Sequence, residues 1–187
     1  MQAQTIENFK SGIREGISRS NLFHVELPSI SGANIDANDL NILCKNVALP
    51  SRQISTVDRV IGIVTEKVAN TFITDDINLS FHVTNDYNIK RYIESWMNLA
   101  VDNETYELGY KYGTNGYGKE VVIHQLAHSN RKTFIPSGTG MQLSKKVYTC
   151  VLERAFPTTL SSIELTNELD GLVEVSLSLT YTNWRSK

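Results

Sequence analysis

The sequence predicts a mainly β protein: an antiparallel β-sandwich or strongly curved small barrel with one packed α-helix at about residues 86–101. Three observations carry this. Leu172–Trp184, LVEVSLSLTYTNW, alternates apolar and polar residues almost without a break, the pattern of a strand with one dry and one wet face. Ile77–Asn85, INLSFHVTN, does the same. Between these two the period changes: Ile89, Tyr92, Ile93, Trp96, Met97 and Ala100 recur at helical spacing and form one apolar stripe. Several short antiparallel strands and a single amphipathic helix have few ways to share a core, and a sandwich or curved barrel is the simplest.

Taken in order, residues 5–18 place Ile6, Phe9, Ile13 and Ile17 at helical spacing, but Gly12 and Gly16 each cost a helix about 1 kcal/mol relative to Ala. Residues 1–19 therefore read either as a short helix or as an arm that settles only on a partner surface. NLFHVEL is a first strand ended by Pro28, SGANIDAND a polar loop, and LNILCKNVALP a second strand stopped at Pro50. The segment SRQISTVDRVIGIVTEKVANTFITDD is rich in β-branched residues but lacks clean alternation and a strong turn. It reads as a long extended excursion whose Val57, Val60, Ile61, Ile63 and Val64 are partly stranded in a monomer. After the strand INLSFHVTN, Asn85 or Asp86 is placed to cap the helix, whose core face carries Ile89, Ile93, Trp96 and Met97. Strand-like segments follow around Tyr106–Tyr112, Glu120–Ala127, Lys145–Arg154 and Ile163–Thr166, and Asp170–Gly171 turns the chain into the last strand.

Length and composition suit one domain, residues 20–187, preceded by the 1–19 arm. No apolar run approaches the roughly 20 residues of a membrane helix, and the N-terminal residues lack the apolar core of an export signal. Cys44 and Cys150 form no close motif and read as two buried free thiols, although spacing alone leaves a bridge open. The net charge of −2 conceals segregation: residues 75–110 hold seven acids and two bases, residues 111–154 seven bases and two acids. Such blocks are either unrelated solvated faces or complementary patches for self-association. Neither is dense enough for a dedicated nucleic-acid site.

Two motifs suggest chemistry and fail on context. GTNGYGKE, Gly113–Glu120, satisfies the start of a phosphate-binding loop, but Glu120 stands where magnesium needs a hydroxyl and VVIHQLA continues as a strand. HQLAH, His124–His128, resembles a zinc-protease pattern with Gln125 in place of the glutamate. On a strand the two imidazoles stand about 13 Å apart, so they read as surface histidines. His24 and His82 sit alone on polar strand faces. No catalytic, cofactor or metal residue is assigned, and the chain is not expected to be an enzyme.

The pieces SRSNLFHVEL, LCKNVALPSR, VTNDYNIKRYIESWMNLA, ERAFPTTLSSIEL and LVEVSLSLTYTNW occur in an order that resembles the tail tube proteins of contractile-tailed bacteriophages (the myovirus major tail tube family). The match runs over about residues 20–184. Its most specific parts are Cys44-Lys45 closing on Leu49-Pro50, Asn85-Asp86 leading to Trp96, and Phe156-Pro157 before the final strand. The SGANIDAND loop and segment 106–119 look like insertions relative to the shortest members.

The resemblance implies a sandwich whose copies join into a ring-shaped β-barrel, hexameric rings stacking into the inner tube of a virion tail that conducts DNA into the host. It implies as partners the chain itself, a tail sheath protein, a baseplate tube initiator, and, in the lumen, a tape measure protein and double-stranded DNA held transiently. Assembly falls in the host cytoplasm, with no cofactor. It also gives the excursion a use: Arg52, Ile54, Val57, Arg59, Val60, Ile61, Ile63 and Val64 become contacts to a neighbouring subunit or ring. The lumen is expected to be polar or acidic, with the polar faces of 40–49, 62–70, 77–84 and 145–153 as its possible linings. The alternatives are a baseplate tube initiator, a tailocin or type VI-like tube, or a monomeric binding module using Tyr106, Tyr110, Tyr112 and Tyr117.

Overall fold

The computed structural model describes residues 6, 18–31, 33, 35, 37–127, 145–163, 165, 167 and 171–187. The strands are β1 (Phe23–Glu26), β2 (Cys44–Val47), β3 (Gln53–Ile61), β4 (Val64–Ile73), β5 (Ile77–His82), β6 (Lys119–Ala127), β7 (Lys145–Leu160), β8 (Glu174–Thr180) and β9 (Asn183–Ser186). The helices are α1 (Ala37–Ile42) and α2 (Asn88–Ala100). The expectation of an antiparallel β fold with one large packed helix is met. The arm at residues 1–19 lies almost wholly outside the described residues.

Every strand pairing is antiparallel, and β7 organises them. Its first part pairs with β6 on one side and β9 on the other, giving a layer β1-β6-β7-β9; its last part, Phe156–Leu160, pairs with β8, giving a layer β7-β8-β5-β2. Between the two parts Arg154 adopts φ 57, and the β6 register slips opposite it between Lys119 and Val121. A non-glycine residue in the left-handed region re-aims a strand, so one strand serves both layers.

The layers close on a common core. Val25, Val121, Ile123, Cys150 and Leu152 come from the first, and Ile77, Leu79, Phe81, Val175, Leu177 and Leu179 from the second. The alternation in β5 and β8 is the one visible in the sequence, with each apolar residue buried. From α2, Ile89, Tyr92, Ile93 and Trp96 enter the same core, with Met97 half-buried beside them. The two large aromatics keep their polar atoms satisfied: Tyr92 donates to the Pro28 carbonyl at 2.6 Å and Trp96 Nε1 to that of Tyr117 at 2.8 Å. Cys44 and Cys150 are free and buried. Among the described residues no helix is long and apolar enough to cross a membrane.

Five expectations are corrected. Residues 37–42 form α1 rather than loop and strand, because Leu40, Leu43 and Cys44 turn inward at helical spacing while Ile42 is exposed. Neither Asn85 nor Asp86 caps α2: the turn closes from Tyr87 N to Thr84 O, and Tyr87, at φ 53, enters the helix with no side-chain cap. Segment 106–112 is no strand, since its backbone bonds turn back on the helix end: Gly109 N donates to Ala100 O and Asp102 N to Glu107 O. Ile163 and Leu165 lie in no strand. The final alternating segment is two strands in two layers, broken at Tyr181–Thr182, where Thr182 N donates to Glu153 O.

Candidate functional site

The excursion after Pro50 is a two-stranded hairpin, β3 with β4, rather than an irregular extension. Ile61 pairs with Val64, leaving Gly62–Ile63 as a two-residue turn. Gly62 has φ 66 and Ile63 does not share the positive sign, which fits a turn needing glycine at its first central position. Ile in the second central position concealed the turn in the sequence.

Of the nineteen strand residues in the hairpin, eighteen are exposed and Ser55 is half-buried. At about 3.3 Å per residue each arm is about 30 Å long. The register places Val57 and Val68 opposite each other, Ile61 opposite Val64, and between them Arg59 opposite Glu66; Asp58 faces Lys67 on the other side. Nine large apolar side chains are exposed here: Ile54, Val57, Val60, Ile61, Ile63, Val64, Val68, Phe72 and Ile73. Ile63, at the tip, is fully exposed.

Scattered surface hydrophobics are ordinary, but nine on one two-stranded arm, interrupted only by the Arg59–Glu66 and Asp58–Lys67 pairs and by small polar residues, exceed that scatter. Fully burying one such Val, Ile or Phe contributes about 1.5–3 kcal/mol, so covering even a few supports stable association. The structure therefore brings Ile54, Val57, Val60, Ile61, Ile63 and Val64 onto one projecting element, with Arg59 between apolar pairs. Val68, Phe72 and Ile73 share it and went unassigned; their only signal in the sequence was that apolar residues continue up to and beyond Asn70. Arg52 differs. It sits at the base, its guanidinium 4.7 Å from the Trp184 ring and 5.3 Å from the Phe72 ring, with Nη2 donating to the Trp184 carbonyl at 3.2 Å. Beside it Ser51 donates to Asp75 at 3.0 Å. The hairpin is thus tied to the sandwich at its base, and nearly all its strand residues are exposed.

The outer faces of the two layers differ in chemistry. On β1-β6-β7-β9, His124 is buried rather than on the surface. Its Nδ1 lies 2.8 Å from Thr149 Oγ1, its Nε2 2.9 Å from Glu26 Oε1 and 2.9 Å from Lys146 Nζ. His24 is not alone: its ring stacks on that of His124 with centroids 6.0 Å apart. Partial burial lowers the His24 pKa, the Glu26 charge opposing this and Lys146 adding to it. Burial pushes Glu26 upward, but hydrogen bonds from Lys146 and His124 outweigh it and hold the carboxylate below its usual value. His128 lies outside the described residues. The same face carries Arg185 beside Glu153 and Glu120. On β7-β8-β5-β2 the outward residues at the centre are small and uncharged, with the Ser80 and Ser176 hydroxyls 3.2 Å apart and Asn78 opposite Ser178; at one end Lys45 and His82 lie beside the Glu174 carboxylate, and at the other Thr180 donates to Asp76.

No group of three metal-ligating side chains occurs among the described residues. The glycine-rich segment Gly113–Gly118 precedes strand β6, not a helix, as its context required. The tyrosines of the binding-module reading do not act together: Tyr117 packs edge-on against Phe156, Tyr112 lies under Arg154, and Tyr106 and Tyr110 are exposed.

The same fold occurs in the sheath–tube complex of PVC, an extracellular contractile injection system, in its extended state (TM-score 0.60, 16% identity, 95% of this chain and 96% of that one). It occurs also in the PVC sheath/tube terminator (0.59, 15%, 92% and 98%) and in the anti-feeding prophage baseplate (0.58, 16%, 91% and 95%). No curated protein sequence matches the chain. The family model for phage tail tube protein matches residues 18–187, and the chain belongs to that family.

Proposed function

We propose that this chain forms stacked hexameric rings of the inner tail tube of a contractile-tailed phage, the conduit through which DNA leaves the capsid. The observation that carries the reading is the hairpin: within a family of structural tube subunits, nine exposed apolar side chains on one arm call for a neighbouring copy. Residues Arg52, Ile54, Val57, Arg59, Val60, Ile61, Ile63 and Val64 contact the adjacent subunit or ring, Arg52 by fixing the arm's angle. Residues 20–187 are the tube domain and 1–19 an arm. A tail sheath, a baseplate tube initiator, a tape measure protein and transient double-stranded DNA are its partners, and assembly takes place in the host cytoplasm.

A second reading, the tube of a tailocin-like or other contractile injection system, has equal support, since the injection-system structures above share the fold at similar length. Nuclease-protected DNA in purified particles separates the two: its presence favours the phage tail, its absence the injection device.

The decisive experiment is negative-stain electron microscopy of the purified protein over a concentration series, with and without a baseplate seed. Hollow tubes of uniform width are expected, and deletion of residues 53–67 is expected to abolish them. A protein that stays monomeric with the seed overturns the reading, and tubes from the deletion variant overturn the role of the arm.

A further inference from the structure

We propose that His124, Glu26 and Lys146 form a proton-driven exchange site on the outer face of β1-β6-β7-β9. Protonation turns His124 Nε2 from accepting a hydrogen bond from Lys146 into donating one to Glu26, and expels the Lys146 ammonium into solvent. The inference stands apart from the ring reading and applies to the free subunit.

Three strands bring the groups to one imidazole. His24 on β1 and Thr149 on β7 both stand directly opposite His124 in register. Glu26 comes from the end of β1 and Lys146 from the start of β7. The His124 side chain is 6% exposed, that of Glu26 47% and that of Lys146 54%.

His124 Nε2 has Glu26 Oε1 and Lys146 Nζ each at 2.9 Å, and it can bond only one of them at a time. An ammonium only donates and a carboxylate only accepts. With Lys146 donating, Nε2 carries no proton and the ring is neutral. Its proton is then on Nδ1, which donates to Thr149 Oγ1 at 2.8 Å, while Lys146 also reaches Glu26 Oε1 at 3.3 Å. The other neutral tautomer would aim an N–H at an ammonium, so the ring takes the first form.

An added proton goes to Nε2, the one ring nitrogen free to take it. Nε2 then donates to Glu26, and two cations are left 2.9 Å apart. One must move. His124 is enclosed and held at Nδ1 by Thr149, whereas Lys146 is half exposed on a flexible stem whose head is readily hydrated. The lysine therefore leaves.

The surrounding charges fit this exchange. The His24 ring, stacked 6.0 Å from that of His124, opposes a second positive charge, so the two imidazoles titrate as a coupled pair. Arg185, the β9 cation on this face, is held by Glu120 and Glu153. Among the described residues no other charged side chain pairs with Glu26 or Lys146. Histidine changes charge between about pH 5 and 8. A patch balanced by Lys146 and Glu26 at pH 8 thus becomes three cations against one anion in mild acid.

Nitrogen-15 NMR of the histidine rings in the full-length free subunit, from pH 8 to 5, tests the site. Competitive acylation of Lys146 against the exposed Lys67 is the second readout. His124 is expected as the Nδ1–H tautomer at pH 8 and as imidazolium in acid. The Lys146:Lys67 labelling ratio should rise about fivefold over the same interval, the scale of one net hydrogen bond lost. Lys146→Met should leave His124 as the Nε2–H tautomer at pH 8, bonded to Glu26, a change that a merely space-filling lysine would not produce. Glu26→Gln should move both readouts to lower pH together. Three results in the unmodified chain each overturn the inference: an Nε2–H tautomer at pH 8, a His124 still neutral at pH 5, or a His124 that charges while the labelling ratio stays flat.

Discussion

Arg52 and Trp184, 132 residues apart, meet at the base of the hairpin, guanidinium over indole at 4.7 Å and Nη2 bonded to the indole residue's carbonyl at 3.2 Å. One residue thus ties the free arm to the last strand. Arg52→Ala is expected to lower unfolding free energy by about 1 kcal/mol, the scale of an exposed cation–π contact with a charged hydrogen bond. Arg52→Lys should recover less than half, lacking the planar fork. Urea unfolding followed by Trp fluorescence measures both; full rescue by lysine would refute the stacking account.

Trp96 is fully buried and donates to Tyr117 O. Trp96→Ala is expected to cost about 3–5 kcal/mol through lost apolar contact and a cavity. Trp96→Phe should cost about 1–3 kcal/mol, much of it from the orphaned carbonyl. Equal costs in urea titrations would mean the indole N–H contributes nothing.

Gly109 is fixed by space rather than by φ: a Cβ there would lie 1.9 Å from the Leu99 carbonyl oxygen. Gly109→Ala should therefore loosen the whole return of segment 101–109 onto α2, with a loss of about 2 kcal/mol or more, the range of strained backbone sites. Hydrogen exchange at the Gly109 amide, bonded to Ala100 O, reports it directly.

Two groups on the β1-β6 face make stability fall on acidification. The folded-state pKa of His24 is lowered, so the unfolded chain takes the proton more readily; its contribution is full above the ordinary 6.5 and declines as pH falls below it. Glu26 is also lowered, so its contribution holds above about 4.5 and is lost below. His24→Gln should flatten the first window and Glu26→Gln the second, in unfolding free energies measured from pH 8 to 3.

Burial pushes the Cys44 thiol to about 12 and the Cys150 thiol to about 11. Neither is expected to react with a thiol reagent at pH 8 in the native state, while both react in guanidinium. One fast native thiol would mean an edge of β2 or β7 opens.

What the sequence revealed and what it hid have physical reasons. Ile77–His82 and Glu174–Thr180 were legible because each is half-buried, so alternation survives. The Trp96 helix was legible because thirteen residues show several turns of one stripe. Helix α1, at six residues, offers too few turns to establish a period. The hairpin hid because both its faces are exposed in the monomer, so no burial imposes alternation. His124 reads as a surface histidine and is buried, because a polar face can still bury a side chain under Glu26, Lys146 and a stacked His24. The break after Thr180 left one faint trace: Tyr181 keeps the apolar rhythm, but Trp184 falls out of phase with it, and a single shifted residue at the end of a strand does not announce a change of layer.

The left-handed Arg154 has a mechanical meaning. Where sandwich halves meet only through side-chain contact and rim loops, the packed core alone resists their relative displacement. Here a single strand passes from one half into the other through Arg154, hydrogen-bonded on both sides of the crossing. A force that drives the halves past each other must bend this backbone crossing as well as shear the shared core.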